Sequence, residues 1–184
     1  MAMHLIPILL AALLFSSPAQ AQLKNENLLV AMPDGYIVGF QDKNGNQQMT
    51  EMVPRGQSVK DWTEMVTVQI FFNMTNVTPE AYKQRLEKLW TESCKGAESS
   101  PVGQGNERGL PVVVWLQVCP RNKDTGKPEV TLLKAIAGKD SFYVVQKAFR
   151  FMPDKPQVEQ WSRYLRGVSV CDSRAPDRAC PKTK

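Results

Sequence analysis

The chain has 184 residues, 42% of them hydrophobic, and 23 Lys and Arg outweigh 18 Asp and Glu to give a net charge of +5. That length supports one domain with a proper core. The charge excess is spread along the chain, which speaks against nucleic acid; it fits solubility, an anionic envelope polymer or an acidic partner.

The N-terminus reads as an export signal. Leu5 to Phe15 is apolar apart from Pro7, and Ala19-Gln20-Ala21 supplies small residues where a signal peptidase cuts, placing cleavage before Gln22. The run is too short to span a bilayer, which needs about 20 residues. No later run is longer, so no membrane span is expected after cleavage. Expected are a signal peptide over 1–21, a single α+β domain over 22–170 and a disulfide-closed basic tail over 171–184. The only histidine, His4, falls in the signal peptide. The mature protein therefore has no imidazole, which excludes Ser-His-Asp and Cys-His catalysis and histidine-ligated metals.

Leu28 to Ala31 predicts a short strand, and Pro33-Asp34-Gly35 a turn. Tyr36, Val38 and Phe40 alternate as a strand does, and Asn44-Gly45 marks a hairpin into a strand over Gln47–Val53. Trp62 to Phe72 is the longest candidate strand. Val66, Val68, Ile70 and Phe72 share a face with Trp62, while Thr63, Met65, Thr67 and Gln69 share the other. Glu64 falls on the apolar face, a local inconsistency of the kind that marks a functional or strained place.

Thr78-Pro79-Glu80 predicts a helix start, with Tyr82, Leu86, Leu89 and Trp90 as its apolar stripe. Residues 95–110 are rich in Gly, Ser and Pro and read as a long loop. Pro111–Cys119 predicts a strand buried on both faces, followed by strands over Val130–Ala137 and Ser141–Phe151. Asp154 caps a last helix carrying Val158, Trp161 and Leu165 inward. The fold class is α+β, a largely antiparallel sheet with two main helices in the order β-β-β-β-α-β-β-β-α.

Cys94, Cys119, Cys171 and Cys180 are an even set in an exported chain, which predicts two disulfides. Of three connectivities, Cys94–Cys119 and Cys171–Cys180 are favoured, one tying a helix end to a strand end and the other closing a short loop. Zinc needs closely paired ligands that these spacings lack, so no metal and no cofactor is expected.

Two carboxylates, Glu64 and Glu51, are the candidates for acid–base hydrolysis if held about 5–10 Å apart; the simpler reading is a strand-end carboxylate that pairs with Arg55 or Lys60 or meets solvent. Gly138-Lys139-Asp140-Ser141 lacks the spacing of a phosphate loop and reads as a hairpin turn. Gly103 to Gly109 carries one residue too many for a dinucleotide fingerprint. Trp90, Trp115 and Trp161 read as core, and Trp62 as the one tryptophan open to solvent.

Val53-Pro54-Arg55-Gly56-Gln57, followed by Asp61-Trp62-Thr63-Glu64-Met65-Val66-Thr67, resembles a segment of uncharacterised exported bacterial proteins. The order of elements resembles the PsbP-like α/β/α sandwich; neither resemblance implies an activity. The leading expectation is a periplasmic or secreted non-catalytic binding protein for an envelope component or protein partner. Its expected surface is Trp62, Thr63, Met65, Thr67 and Gln69 together with the 95–110 loop. The alternatives are a carboxylate-dependent cell-envelope hydrolase and an inhibitor or immunity-type protein.

Overall fold

The structure, a computed structural model, describes residues 23–182; the expected signal peptide lies outside them. The chain runs β1 (Glu26–Leu29), β2 (Tyr36–Asn44), β3 (Gln47–Pro54), β4 (Glu64–Phe72), α1 (Pro79–Ser93), β5 (Glu98–Glu107), β6 (Leu110–Cys119), β7 (Glu129–Ala137), β8 (Ser141–Phe149), α2 (Lys155–Gly167) and β9 (Ser169–Asp172), ending in a short 3₁₀ turn, Pro176–Arg178. β2 to β8 form a seven-stranded antiparallel sheet in the order β2-β3-β4-β8-β7-β6-β5. The helices lie on opposite faces, so the fold is the expected α+β architecture in three layers.

The alternation read along β4 divides the core. Val66, Val68 and Ile70 join Leu132, Val145 and Phe149 beneath Trp161 and Leu165 of α2. On the other face Val113, Trp115, Leu133, Phe142 and Val144 pack against Tyr82 and Leu86 of α1. Trp161 and Leu165 are 7% and 0% exposed, and burying such side chains contributes roughly 2–3 kcal/mol each. Leu89, expected on the α1 stripe, stays 50% exposed. Thr78 caps α1 through its hydroxyl, and Asp154 and Gln157 cap α2 reciprocally.

The 95–110 loop expectation is corrected. Glu98–Glu107 is a strand, paired with β6 from Glu98 opposite Val118 to Glu107 opposite Leu110. Its composition misled because it lies at the sheet's edge with every residue exposed, so no burial demands an apolar alternation.

Both favoured disulfides are present. Cys94 at the end of α1 joins Cys119 at the end of β6, and Cys171 in β9 joins Cys180. β9 pairs with β1 in a separate ribbon. Glu26 of β1 accepts hydrogen bonds from the backbone N–H groups of Lys139 (2.6 Å) and Asp140 (3.1 Å) and from the Tyr143 hydroxyl (2.9 Å). Gly138 leaves room for this turn, since a Cβ there would lie 2.7 Å from the Ser141 backbone carbonyl as well as against the Glu26 carboxylate. The β7–β8 connection is thus a turn clamped by a carboxylate, in line with its reading as a hairpin.

Candidate functional site

Glu64 is the first residue of β4, opposite Phe149, and therefore points to the α2 side of the sheet. Its neighbour across that face is Lys147 of β8, fully buried. The Lys147 ammonium donates to Glu64 Oε2 (2.5 Å) and to the Tyr36 hydroxyl (2.5 Å), and the Tyr36 hydroxyl donates to the same Oε2 (3.0 Å). The ammonium also lies 3.8 Å from the Trp161 ring centroid, 4.7 Å from Phe149 and 5.0 Å from Tyr36. The inconsistency marked at Glu64 is therefore half of a charge pair inside an aromatic box.

The box sets the protonation of its members. Burial lowers Lys147 to about 8, with Glu64 opposing the shift. Burial, reinforced by the neighbouring Glu64 carboxylate, raises the Tyr36 hydroxyl far above its ordinary value, so it remains a proton donor. Glu64 keeps a quarter of its side chain exposed and lines an open cleft of about 470 Å³ between α2 and the β1–β2 turn. Trp161, Tyr164 and Pro54 form apolar walls, and Asp34, Gln157 and Gln160 supply polar groups. Trp161 meets Tyr164 and Tyr36 edge to face, at 5.1 and 5.7 Å between centroids. Tyr164 is fixed by donating to the Ala31 carbonyl (2.8 Å).

Such a cleft offers acceptors and a flat apolar wall, and its strongest bases are already engaged. The Lys147 amine is out of reach of a substrate. The Glu64 Oε2 accepts from two donors, and Oε1 has no hydrogen-bond partner among the described residues.

Glu51, the second expected carboxylate, pairs across the sheet with Thr67 and so sits on the opposite face from Glu64. Burial raises its carboxyl, and it has no part in the cleft. The two acids are not brought together. Of the expected binding residues, Trp62, Met65 and Thr67 are 8%, 5% and 7% exposed, which corrects the reading of Trp62 as open to solvent. The 55–62 turn folds over this part of the sheet, so Trp62 packs with Val53, Met65 and Val59, and the Arg150 guanidinium caps its ring at 3.9 Å. Thr63 is exposed and bonded to Gln57 through both its hydroxyl and its N–H, while Gln69 is half-buried beside Met49. These residues floor the α1 side of the sheet, away from the cleft.

Sequence reasoning missed Tyr36, Lys147 and Trp161 as parts of one site. The signal was present in β8: Tyr143, Val145 and Phe149 share a face with Lys147, a cation on an apolar stripe to answer the anion on the apolar stripe of β4.

No family model and no curated protein matches the chain, so the resemblance drawn from the Val53–Thr67 segment gains no support. Among solved structures the chain is similar to the Ran-binding protein Mog1p of Saccharomyces cerevisiae, at 16% identity and TM-score 0.44 over 78% of this chain and 85% of that one. It is also similar to the PsbP protein CyanoP of Synechocystis sp. PCC 6803, at 10% identity and TM-score 0.46 over 85% of this chain and 98% of that one.

Proposed function

We propose that this is an exported, non-catalytic binding protein whose ligand enters the cleft over Glu64. The observation that supports the reading is the engaged state of the cluster: a partly exposed carboxylate held in place by Lys147, which is fully buried, and by Tyr36, whose hydroxyl is committed to both partners. Aromatic walls beside acid and amide acceptors suit a ligand that presents several O–H or N–H donors next to an apolar face, the chemistry of an envelope saccharide. Two disulfides support export, because a reducing cytoplasm does not maintain them.

Incubation with soluble cell-wall oligosaccharides tests the reading. Binding without release of new reducing ends is the expected result, with affinity falling in Gln160→Ala and Asp34→Ala, which leave the buried cluster intact. Cleavage that disappears in Glu64→Gln would establish the hydrolase alternative instead.

A further inference from the structure

β5 is an edge strand: among the described residues it pairs with β6 on one side and with nothing on the other. Natural edges are blunted by proline, bulges or lysine. The N-terminal half of β5 is so protected, by Pro101 and by an irregularity between Pro101 and Gly103. From Gly103 to Glu107 pairing with β6 is regular and the outer edge carries none of these devices.

Two glycines shape this open half. Gly103 and Gly105 have no positive φ, and a Cβ built on either meets nothing within 4 Å. Neither backbone conformation nor packing within the chain requires glycine there. A strand glycine marks a bulge, a bend or a close approach by another backbone; Gly103 adjoins the irregularity after Pro101, whereas Gly105 lies in regular pairing and is left with the last of these. Both lie opposite the α2-side residues Val114 and Val112, so the missing side chains leave open a groove of about 290 Å³ between β5 and α2, bounded by Ser162, Leu165 and Arg166. A second groove of about 450 Å³ lies on the other face of β5, against Glu80, Lys83 and Gln84 of α1. Gly103 borders both.

On the α2 side of β5 the charge is one-sided. Lys134, fully buried, holds both oxygens of Glu107 (2.9 and 2.8 Å), so that carboxylate is already neutralised. Arg166 lines the α2-side groove and its continuation past Gly167, where Arg108 joins it. Among the described residues neither arginine forms an ion pair, so the groove has two unanswered cations.

We propose that β5 takes up an extended acidic polypeptide segment as an additional strand along Gly103–Glu107. Alternate side chains of an added strand point to opposite faces, so they would enter the two flanking grooves in turn, with carboxylates reaching Arg166. This site lies on the opposite flank of α2 from the cleft over Glu64 and does not depend on that cleft binding anything.

The test uses a short, terminally blocked peptide of alternating Glu and Val, with its Lys–Val counterpart as control. Titration of the mature protein is followed by NMR on the backbone amides of 103–107. The expected result is saturable binding of the acidic peptide, shifts centred on β5, and an affinity about tenfold weaker in Arg166→Glu, with the lysine peptide regaining what the acidic one loses. Gly103→Val and Gly105→Val, which fill the groove without backbone strain, are expected to abolish binding at unchanged thermal stability. Failure of the acidic peptide to bind, equal binding of both peptides, or full binding to the valine variants would overturn the proposal. So would sedimentation showing that β5 pairs with β5 of a second copy.

Discussion

Two lysines lie on the α2 side of the sheet, both fully buried, and their surroundings differ in a way that separates a fastening from a site. Lys134 donates to four acceptors: both oxygens of Glu107 and the carbonyls of Leu165 (3.1 Å) and Val168 (2.7 Å). Those carbonyls belong to the end of α2, so Lys134 satisfies groups that a helix C-terminus leaves open and anchors the helix to β7. Lys147, beneath Trp161, has only the Tyr36 hydroxyl and Glu64, with aromatic faces for the rest. One lysine is surrounded by oxygen; the other stands behind a cleft and holds its carboxylate. The lesson is that burial of a charge identifies neither role, and the partners decide it.

The largest expected effect comes from breaking the fastening. Lys134→Ala removes the ammonium that Glu107 and both carbonyls share and leaves the Val168 carbonyl without its donor, while Leu165 keeps the Val168 N–H; urea unfolding is expected to show a loss of about 3–5 kcal/mol. Glu64→Gln leaves the Lys147 charge without its counter-ion; because Glu64 is partly exposed, the expected loss is smaller, about 2 kcal/mol. Replacing both members, Lys147→Met with Glu64→Leu, is expected to recover most of that loss, since no unpaired charge remains. If the double variant is as unstable as the single one, the box is held by more than its ion pair.

The pH dependence sharpens the same contrast. Burial lowers Lys147 to about 8 in the folded protein, against 10.5 for an ordinary lysine. Between those values the unfolded chain binds the proton and the folded chain does not, so stability rises with pH from about 8 to 10.5. Below about 8 the cost of the buried charge is carried in full. Subtracting the Lys147→Met curve from that of the wild type is expected to isolate this rise. The smallest effect is Glu107→Gln, about 0.5–1 kcal/mol, because that carboxylate is 44% exposed and screened.

Much of this was legible in the residues. The period-two pattern of β4 and the caps at Thr78 and Asp154 located their elements, and the cysteine positions favoured the pairing that is found. Glu64 was legible as a misplaced charge, but its partner lies 83 residues away in sequence. Strand pairing across the sheet brought them together, and alternation within one strand carries no information about which other strand is adjacent. Lys147 and Lys134 break the apolar stripes of β8 and β7 as Glu64 breaks that of β4, so charges on apolar faces were a common signal for all three. β5 was illegible for the opposite reason: an edge strand with nothing to bury has no pattern to read.

The central claim, that the cleft over Glu64 recognises a ligand without transforming it, is tested most directly by following the side-chain amide signals of Gln157 and Gln160 by NMR during titration with soluble cell-wall oligosaccharides. The account predicts saturable shifts of these signals and of Tyr36, with the oligosaccharide recovered intact. Shifts confined to other surfaces, or a shortened oligosaccharide, would contradict it.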